Sequence, residues 1–183
     1  AMEKVRTGGR GFVRLDILHM ENLIEVLKDF DIKSVTETEL NYLNRAWHRL
    51  LPWPDSVPGL LRLKKKFIIG TMSNGNVALM VNMAKNGGLP WDVILGAEPA
   101  QAYKPEPKTY LTGVDWLNLK PSEVLMCAAH NADLVAAGAQ GLKTAFIARP
   151  TEYGPNQKHD FEAEHDFDYI SENILDLADK LGC

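Results

Sequence analysis

An α/β fold with a Rossmann-like parallel sheet, helices covering both faces, is the class this sequence predicts, on three observations. From Ser56 onward, helical and strand patterns alternate, and strands joined through helices call for right-handed crossovers and a parallel sheet. The strand segments are nearly continuous apolar runs, as expected of strands buried on both faces. Three short polar segments, residues 71–75, 103–105 and 127–134, lie where an apolar strand runs out or a helix begins. That edge is where doubly wound proteins place their ligands.

The elements follow in order. Ile17, Met20, Leu23, Ile24, Leu27 and Phe30 recur at helical spacing and form the apolar stripe of one amphipathic helix. Thr36-Glu37-Thr38-Glu39 is a capping box opening a second helix through Leu40, Leu43 and Trp47. Leu51-Pro52-Trp53-Pro54-Asp55 must be extended, because each proline disfavours helix at and before itself. It joins a small helical part, residues 1–52, to the main α/β unit, residues 53–183. There, 57–65 is a helix, 67–72 a buried strand, and 76–86 a helix closed by Gly87-Gly88. A strand at 93–96, a helix at 107–117, a strand at 124–128 and a helix at 134–140 come next. Residues 144–148 and 167–170 are the last strands, and Ser171 caps a final helix running through Leu181. The loop over 150–166, rich in Pro, Gly, His and acids, reads as polar and mobile.

At 183 residues, 45% hydrophobic and 24% charged, the chain can bury one substantial core or a core with a small appendage. A net charge of −4 argues against a nucleic-acid partner, which requires a basic face. The run Lys64-Lys65-Lys66 is a solvated helix end favoured by the helix dipole. Cys127 and Cys183 make no disulfide framework, so a reducing cytoplasmic location is expected. No apolar run reaches membrane-spanning length and no secretory pattern opens the sequence.

Ser73 follows a strand and precedes a helix, so the Asn74, Gly75 and Asn76 amides can face an anion at that helix N-terminus. Ser73 Oγ and the Asn74 side chain add donors there, although either residue taken singly is also an ordinary helix cap. Pro105 and Pro107 stiffen the loop that presents Lys104; a solvated surface lysine is the plainer use. Tyr110, one turn into the next helix, either reaches the same cleft or packs half-buried. Asp133 opens the helix after the 124–128 strand, where the dipole favours a carboxylate as cap or as site acid. His130 and Asn131 extend the polar loop beside it. A metal needs several oxygen ligands, and this loop offers one acid with alanines at 128 and 129. No metal and no other cofactor is expected. A hydroxyl–amide pair, a lysine and an aspartate converging on one edge make an anion-handling hydrolytic centre.

In this order and spacing, the three segments resemble the haloacid dehalogenase superfamily, in particular its L-2-haloacid dehalogenase branch. Ser73-Asn74-Gly75 is similar to that branch's Ser-Asn-Gly motif after the second strand. Tyr103-Lys104-Pro105 with Tyr110 is similar to its Tyr-Lys-Pro motif and following tyrosine, and residues 128–134 to its final loop ending in an aspartate. The helices before Trp53 resemble the later part of the helical cap. The resemblance implies hydrolysis of short, anionic 2-haloacids to 2-hydroxy acids through an aspartyl ester, without metal. It implies catalytic roles for Lys104, Asp133 and Asn74, and substrate binding by Ser73, Asn74, Tyr110, His130 and Asn131. Ser73 and the Asn74 amide would hold the substrate carboxylate, Lys104 would keep the nucleophile ionised, and Asp133 would position or activate water.

Three departures accompany the resemblance. The branch's Asp-x-(Tyr/Phe)-Gly-Thr segment is not found in these 183 residues, and with it the first core strand and the nucleophile. Asp16 follows Phe12-Val13-Arg14-Leu15 but leads into Ile17-Leu18-His19, which suits a helix cap. His130 stands where many dehalogenases carry asparagine, and Ala128 where serine is common. Two other readings stay open: a phosphatase of the same superfamily, disfavoured by Ala129 in place of a second acid, and a non-catalytic binding or assembly protein. Without its central strand the sheet would leave two apolar edges open. The strands ending at Met72 and Ala128 would then pair directly, another copy would donate a strand, or copies would associate through the open edges; a homo-oligomer, most simply a dimer, or an altered strand order is expected, and no turnover from this polypeptide alone.

Overall fold

A computed structural model describes residues 2–183. Its N-terminal part is helical: α1 (Met2–Arg6), α2 (Leu15–Asp29) and α3 (Glu37–Asn44), followed by a 3-10 turn over Arg45–Arg49. The capping box that starts α3 forms as expected, with Thr36 Oγ1 accepting from Glu39 N–H and Glu39 Oε2 accepting from Thr36 N–H. Trp47 lies in the 3-10 turn rather than in α3. The apolar stripe of α2 is not covered along its length: Leu18 is buried, while Ile17, Ile24 and Phe30 remain exposed, Phe30 by 75%. The proline-rich connector is irregular through Trp53 but turns at Pro54–Asp55 rather than staying extended: Asp55 sits at φ −80°, ψ −17°, and the Ser56 N–H donates to the Trp53 carbonyl at 2.9 Å.

The remainder alternates. α4 (Ser56–Leu63), β1 (Gly70–Ser73), α5 (Val77–Gly87), β2 (Val93–Gly96), the one-turn α6 (Ala97–Ala100) and α7 (Pro107–Trp116) come first. A 3-10 turn at Pro121–Glu123, β3 (Leu125–Ala128), α8 (Asn131–Gly138), β4 (Lys143–Ile147), β5 (Tyr169–Ser171) and α9 (Ile174–Lys180) complete the chain. All strand pairs are parallel. β1 pairs with β2, Ser73 opposite Gly96, and β3–β4–β5 form a second sheet with Ala128 opposite Phe146. Between β1 and β3 no ladder forms among the described residues, so the direct pairing offered as one outcome from sequence does not occur.

Strand alternation along β4 divides the core. Ala145 and Ile147 face α4 and α9 with Leu60, Leu63 and Leu177. Phe146 faces α7 and α8 with Tyr110, Val114 and Leu134. Each fully buried aliphatic or aromatic side chain here contributes about 2 kcal/mol through removal from water.

Several boundaries differ from expectation for identifiable reasons. β1 begins at Gly70 rather than at Phe67, because Asp92 takes over the preceding backbone: its Oδ2 accepts from Ile69 N–H and its own N–H donates to the Ile69 carbonyl. Ser171 ends β5, and the cap of α9 is Asn173, whose side chain accepts from Asp176 N–H at 2.9 Å. Helix α8 starts three residues earlier than the apolar pattern indicates, so Asp133 sits inside its first turn. Among the described residues, no helix is long and apolar enough to cross a membrane.

Candidate active site

The C-terminal ends of β1 and β3 and the loop after α6 bring four of the expected residues into one hydrogen-bonded run. The turn after β1 is set by Ser73 Oγ, which accepts from Gly75 N–H at 3.0 Å. Gly96 makes the close approach possible. It sits at φ 128° opposite Ser73, and a Cβ there would lie 2.1 Å from the Ser73 carbonyl oxygen. Asn74 Oδ1 accepts the Lys104 backbone N–H at 2.8 Å. That bond fixes the amide's orientation and presents Nδ2 as the side chain's donor.

Lys104 Nζ donates to Asp133 Oδ2, with both side chains more than four-fifths buried. The other oxygen, Oδ1, accepts the Tyr110 hydroxyl at 2.7 Å. Tyr110 is completely buried in the α7–α8 cluster. Burial first, and its bond to Asp133 second, push its phenol far above the usual tyrosine range. It therefore orients Asp133 from behind and is walled off from any ligand in this conformation. Tyr103 is likewise buried; its hydroxyl donates to the Val13 carbonyl, and desolvation together with the Glu98 carboxylate raises its pKa to about 12.

The remaining expected residues fall differently. His130 lies at the rim, its Nε2 3.2 Å from Glu152 Oε2 and 3.1 Å from the Tyr153 hydroxyl. Asn131 is buried and its side chain is fully committed to the following loop. Nδ2 donates to Asp160 Oδ1 and to the Glu162 carbonyl, while Oδ1 accepts from Glu164 N–H. It anchors a wall rather than facing a ligand. Within the 150–166 loop these bonds hold residues 160–164, and just before it Arg149 pairs with Asp55 at 2.8 Å and lies over Trp53.

The anion-binding turn also has fewer open donors than its sequence promises. The Gly75 amide is spent on Ser73, and the Val77 amide on Glu98 Oε2 at 2.7 Å. Sequence reasoning missed Glu98, Glu152, Tyr153 and Asp160. They lie 20 to 30 residues from the groups they hold, with no local spacing to mark them. Asp16 forms no part of a strand end: it occupies the first turn of α2, its carboxylate held by His48 at 3.0 Å and Asn76 at 2.9 Å.

The model of the haloacid dehalogenase-like hydrolases matches residues 1–140. The (S)-2-haloacid dehalogenase 1 of Pseudomonas sp. (strain CBS-3) is 33% identical over 142 residues, covering 74% of this chain and 62% of that relative. The chain thus spans less than two thirds of that relative's length. A solved structure of a defluorinating L-2-haloacid dehalogenase is 50% identical, with TM-score 0.97 over 100% of this chain and 75% of that one. Another L-2-haloacid dehalogenase structure is 46% identical, with TM-score 0.97 over 99% of this chain and 77% of that one. With more than two thirds of its length matched by the family model, and the Ser73-Asn74, Lys104 and Asp133 segments joined at one edge, this chain belongs to the haloacid dehalogenase-like hydrolase family.

Proposed function

We propose that this chain carries the substrate-holding and charge-stabilising groups of a 2-haloacid dehalogenase, which hydrolyses short 2-haloacids to 2-hydroxy acids. The observation that carries it is the unbroken run from Asn74 through Lys104 and Asp133 to Tyr110. Similarity to proteins named as 2-haloacid dehalogenases supports it. Ser73 Oγ and Asn74 Nδ2 hold the substrate carboxylate. The Lys104 ammonium, fixed by Asp133, favours the ionised form of an attacking carboxylate through Coulomb attraction. That carboxylate displaces halide at C2; the halide departs with the bonding electron pair, and water then cleaves the resulting ester.

Asp133 and Asp16 do not suit the attack, because both oxygens of each already accept hydrogen bonds. The nucleophile in this scheme is a carboxylate from outside the described residues. We also assign residues 1–52 to a partial helical cap and residues 53–183 to the core. A homodimer is supported by the exposed apolar side chains of α2 and by the edges of β1 and β3 that carry no ladder among the described residues. A reducing, cytoplasmic location is supported by the two free cysteines.

Halide release from 2-chloropropionate tests the scheme, using the 183-residue chain and a form extended upstream by a strand ending in Asp-x-Tyr-Gly-Thr. The short chain is expected to release none. In the extended form, Lys104→Met is expected to lower the rate by about 100-fold or more. Release by the short chain that Asp16→Asn abolishes, or an extended form indifferent to Lys104→Met, would overturn it.

A further inference from the structure

Residues 13–16, entering α2, touch both loops of the site. The Val13 carbonyl accepts the Tyr103 hydroxyl at 2.7 Å, one residue before Lys104. Asp16 meets Asn76 twice: its N–H donates to Asn76 Oδ1 at 3.2 Å, and its Oδ2 accepts from Asn76 Nδ2 at 2.9 Å. Asn76 is the residue that opens α5, two positions after Asn74. The two loops meet directly through the Lys104 N–H and Asn74 Oδ1. A closed ring results, running from the 13–16 strap to Tyr103–Lys104, on to Asn74–Asn76, and back to the strap.

Asp16 is held from behind as well. His48 Nε2 lies 3.0 Å from its Oδ1, His48 Nδ1 lies 2.9 Å from Asn82 Nδ2, and Asn44 Nδ2 donates to the Asp16 carbonyl at 3.0 Å. His48 is 5% exposed and Asn76 2%. With both ring nitrogens engaged, His48 has no position left for proton transfer to a ligand. A polar cluster this buried gains little over an apolar one in stability; what it fixes is geometry.

We propose that Asp16 is a positioning residue: it pins the turn carrying Ser73 and Asn74 against the loop carrying Lys104. Its consequence for 2-haloacids rests on the function proposed above, whereas the placement of the two loops does not. The test compares Asp16→Ala, Asp16→Asn and Tyr103→Phe with Leu177→Ala, a core truncation on α9 remote from both loops. Two quantities are read: backbone amide resonances of Asn74, Gly75 and Lys104, and affinity for 2-chloropropionate.

Asp16→Ala is expected to move all three amides and weaken 2-chloropropionate about tenfold. Asp16→Asn restores most of both, since its side-chain oxygen still accepts from Asn76 Nδ2, the bond that Asp16→Ala loses. Tyr103→Phe, which keeps the ring, is expected to move the Lys104 and Asn74 amides together. Leu177→Ala lowers thermal stability and leaves both readouts in place. The proposal is overturned if Asp16→Ala leaves those amides unmoved, if Leu177→Ala moves them equally, or if Tyr103→Phe moves Lys104 alone. Should Asp16→Ala not fold, Asp16→Asn and Tyr103→Phe decide it. Failure of the wild-type chain to bind 2-chloropropionate would sink the substrate assignment, and the amides alone would then decide the positioning role.

Discussion

Gly96 is the backbone position on which the site's geometry rests most directly. Its φ of 128° and ψ of −145° belong to a region open essentially to glycine alone, where another residue costs about 1–3 kcal/mol. An added Cβ would also lie 2.1 Å from the Ser73 carbonyl oxygen and 2.6 Å from the Ser73 nitrogen. Both atoms are backbone, so the clash is relieved only by moving the β1–β2 pair apart, adding roughly 1–3 kcal/mol of overpacking. Gly96→Ala is thus expected to destabilise by about 2–6 kcal/mol, lowering Tm by roughly 5–20 °C in a chain of this size. Gly88→Ala is the matched comparison. That residue closes α5 at φ 69° with nothing within 4 Å of an added Cβ, so only the left-handed backbone term of about 1 kcal/mol remains. Differential scanning calorimetry of both variants, with the Ser73 and Asn74 amide resonances, measures the difference. Equal Tm losses, or an unmoved Ser73 in Gly96→Ala, would refute the claim that this close approach shapes the turn.

Other consequences follow from named contacts. Ultraviolet titration of the five tyrosines is expected to leave Tyr103 and Tyr110 protonated through the range in which exposed phenols ionise, and Tyr110→Phe to remove the later of the two. Burial opposes ionisation of Asp55, but the Ile174 N–H and the Arg149 guanidinium outweigh it and hold the carboxyl below the ordinary aspartate value. Stability from this group is therefore full above about pH 4 and lost as pH falls through the lowered folded value, so Asp55→Asn flattens the acid arm of the urea midpoint against pH. Asp160→Ala removes both bonds to Asn131 from a residue at φ 57°, and is expected to cost about 2 kcal/mol, with Asp160→Asn costing less; chemical denaturation distinguishes them.

Most of the fold was legible because its signals are local. The Thr36 box, the glycine closure of α5, the prolines flanking Trp53 and the apolar runs of β2, β3 and β4 each act over a few residues, and each lies where its chemistry places it. The polar segments were legible for the same reason, since each follows a strand or opens a helix. What sequence could not supply is the choice among partners. Asn131 has the composition of a ligand contact, yet Asp160 and the 162–164 backbone satisfy all its hydrogen-bonding groups. Gly75 offers an amide to an anion, yet Ser73 takes it. Start and end errors have the same origin: Asp92 claims the backbone before β1, and Asn173 displaces Ser171 as the cap of α9.

The two sheets add a constraint that no single segment carries. Ser73 ends a strand of one sheet with Asn74 directly after it, and Asp133 follows a strand of the other, with no ladder between β1 and β3 among the described residues. Their relative placement is set by the connection after β2. Lys104 reaches Asn74 through its backbone and Asp133 through its ammonium, and Tyr110 reaches Asp133 from inside the α7–α8 cluster. On the next turn of α7, Gly113 faces Met72 of β1 and Leu95 of β2; a Cβ there would meet the Met72 methyl at 2.6 Å. One helix therefore packs on both sheets and carries the tyrosine that orients the acid. Contacts that hold the two sheets as one body are, to a large extent, the contacts that align the site. A substitution loosening α7 consequently cannot spare the Lys104–Asp133 pair, whereas one confined to the outer strand β5 can.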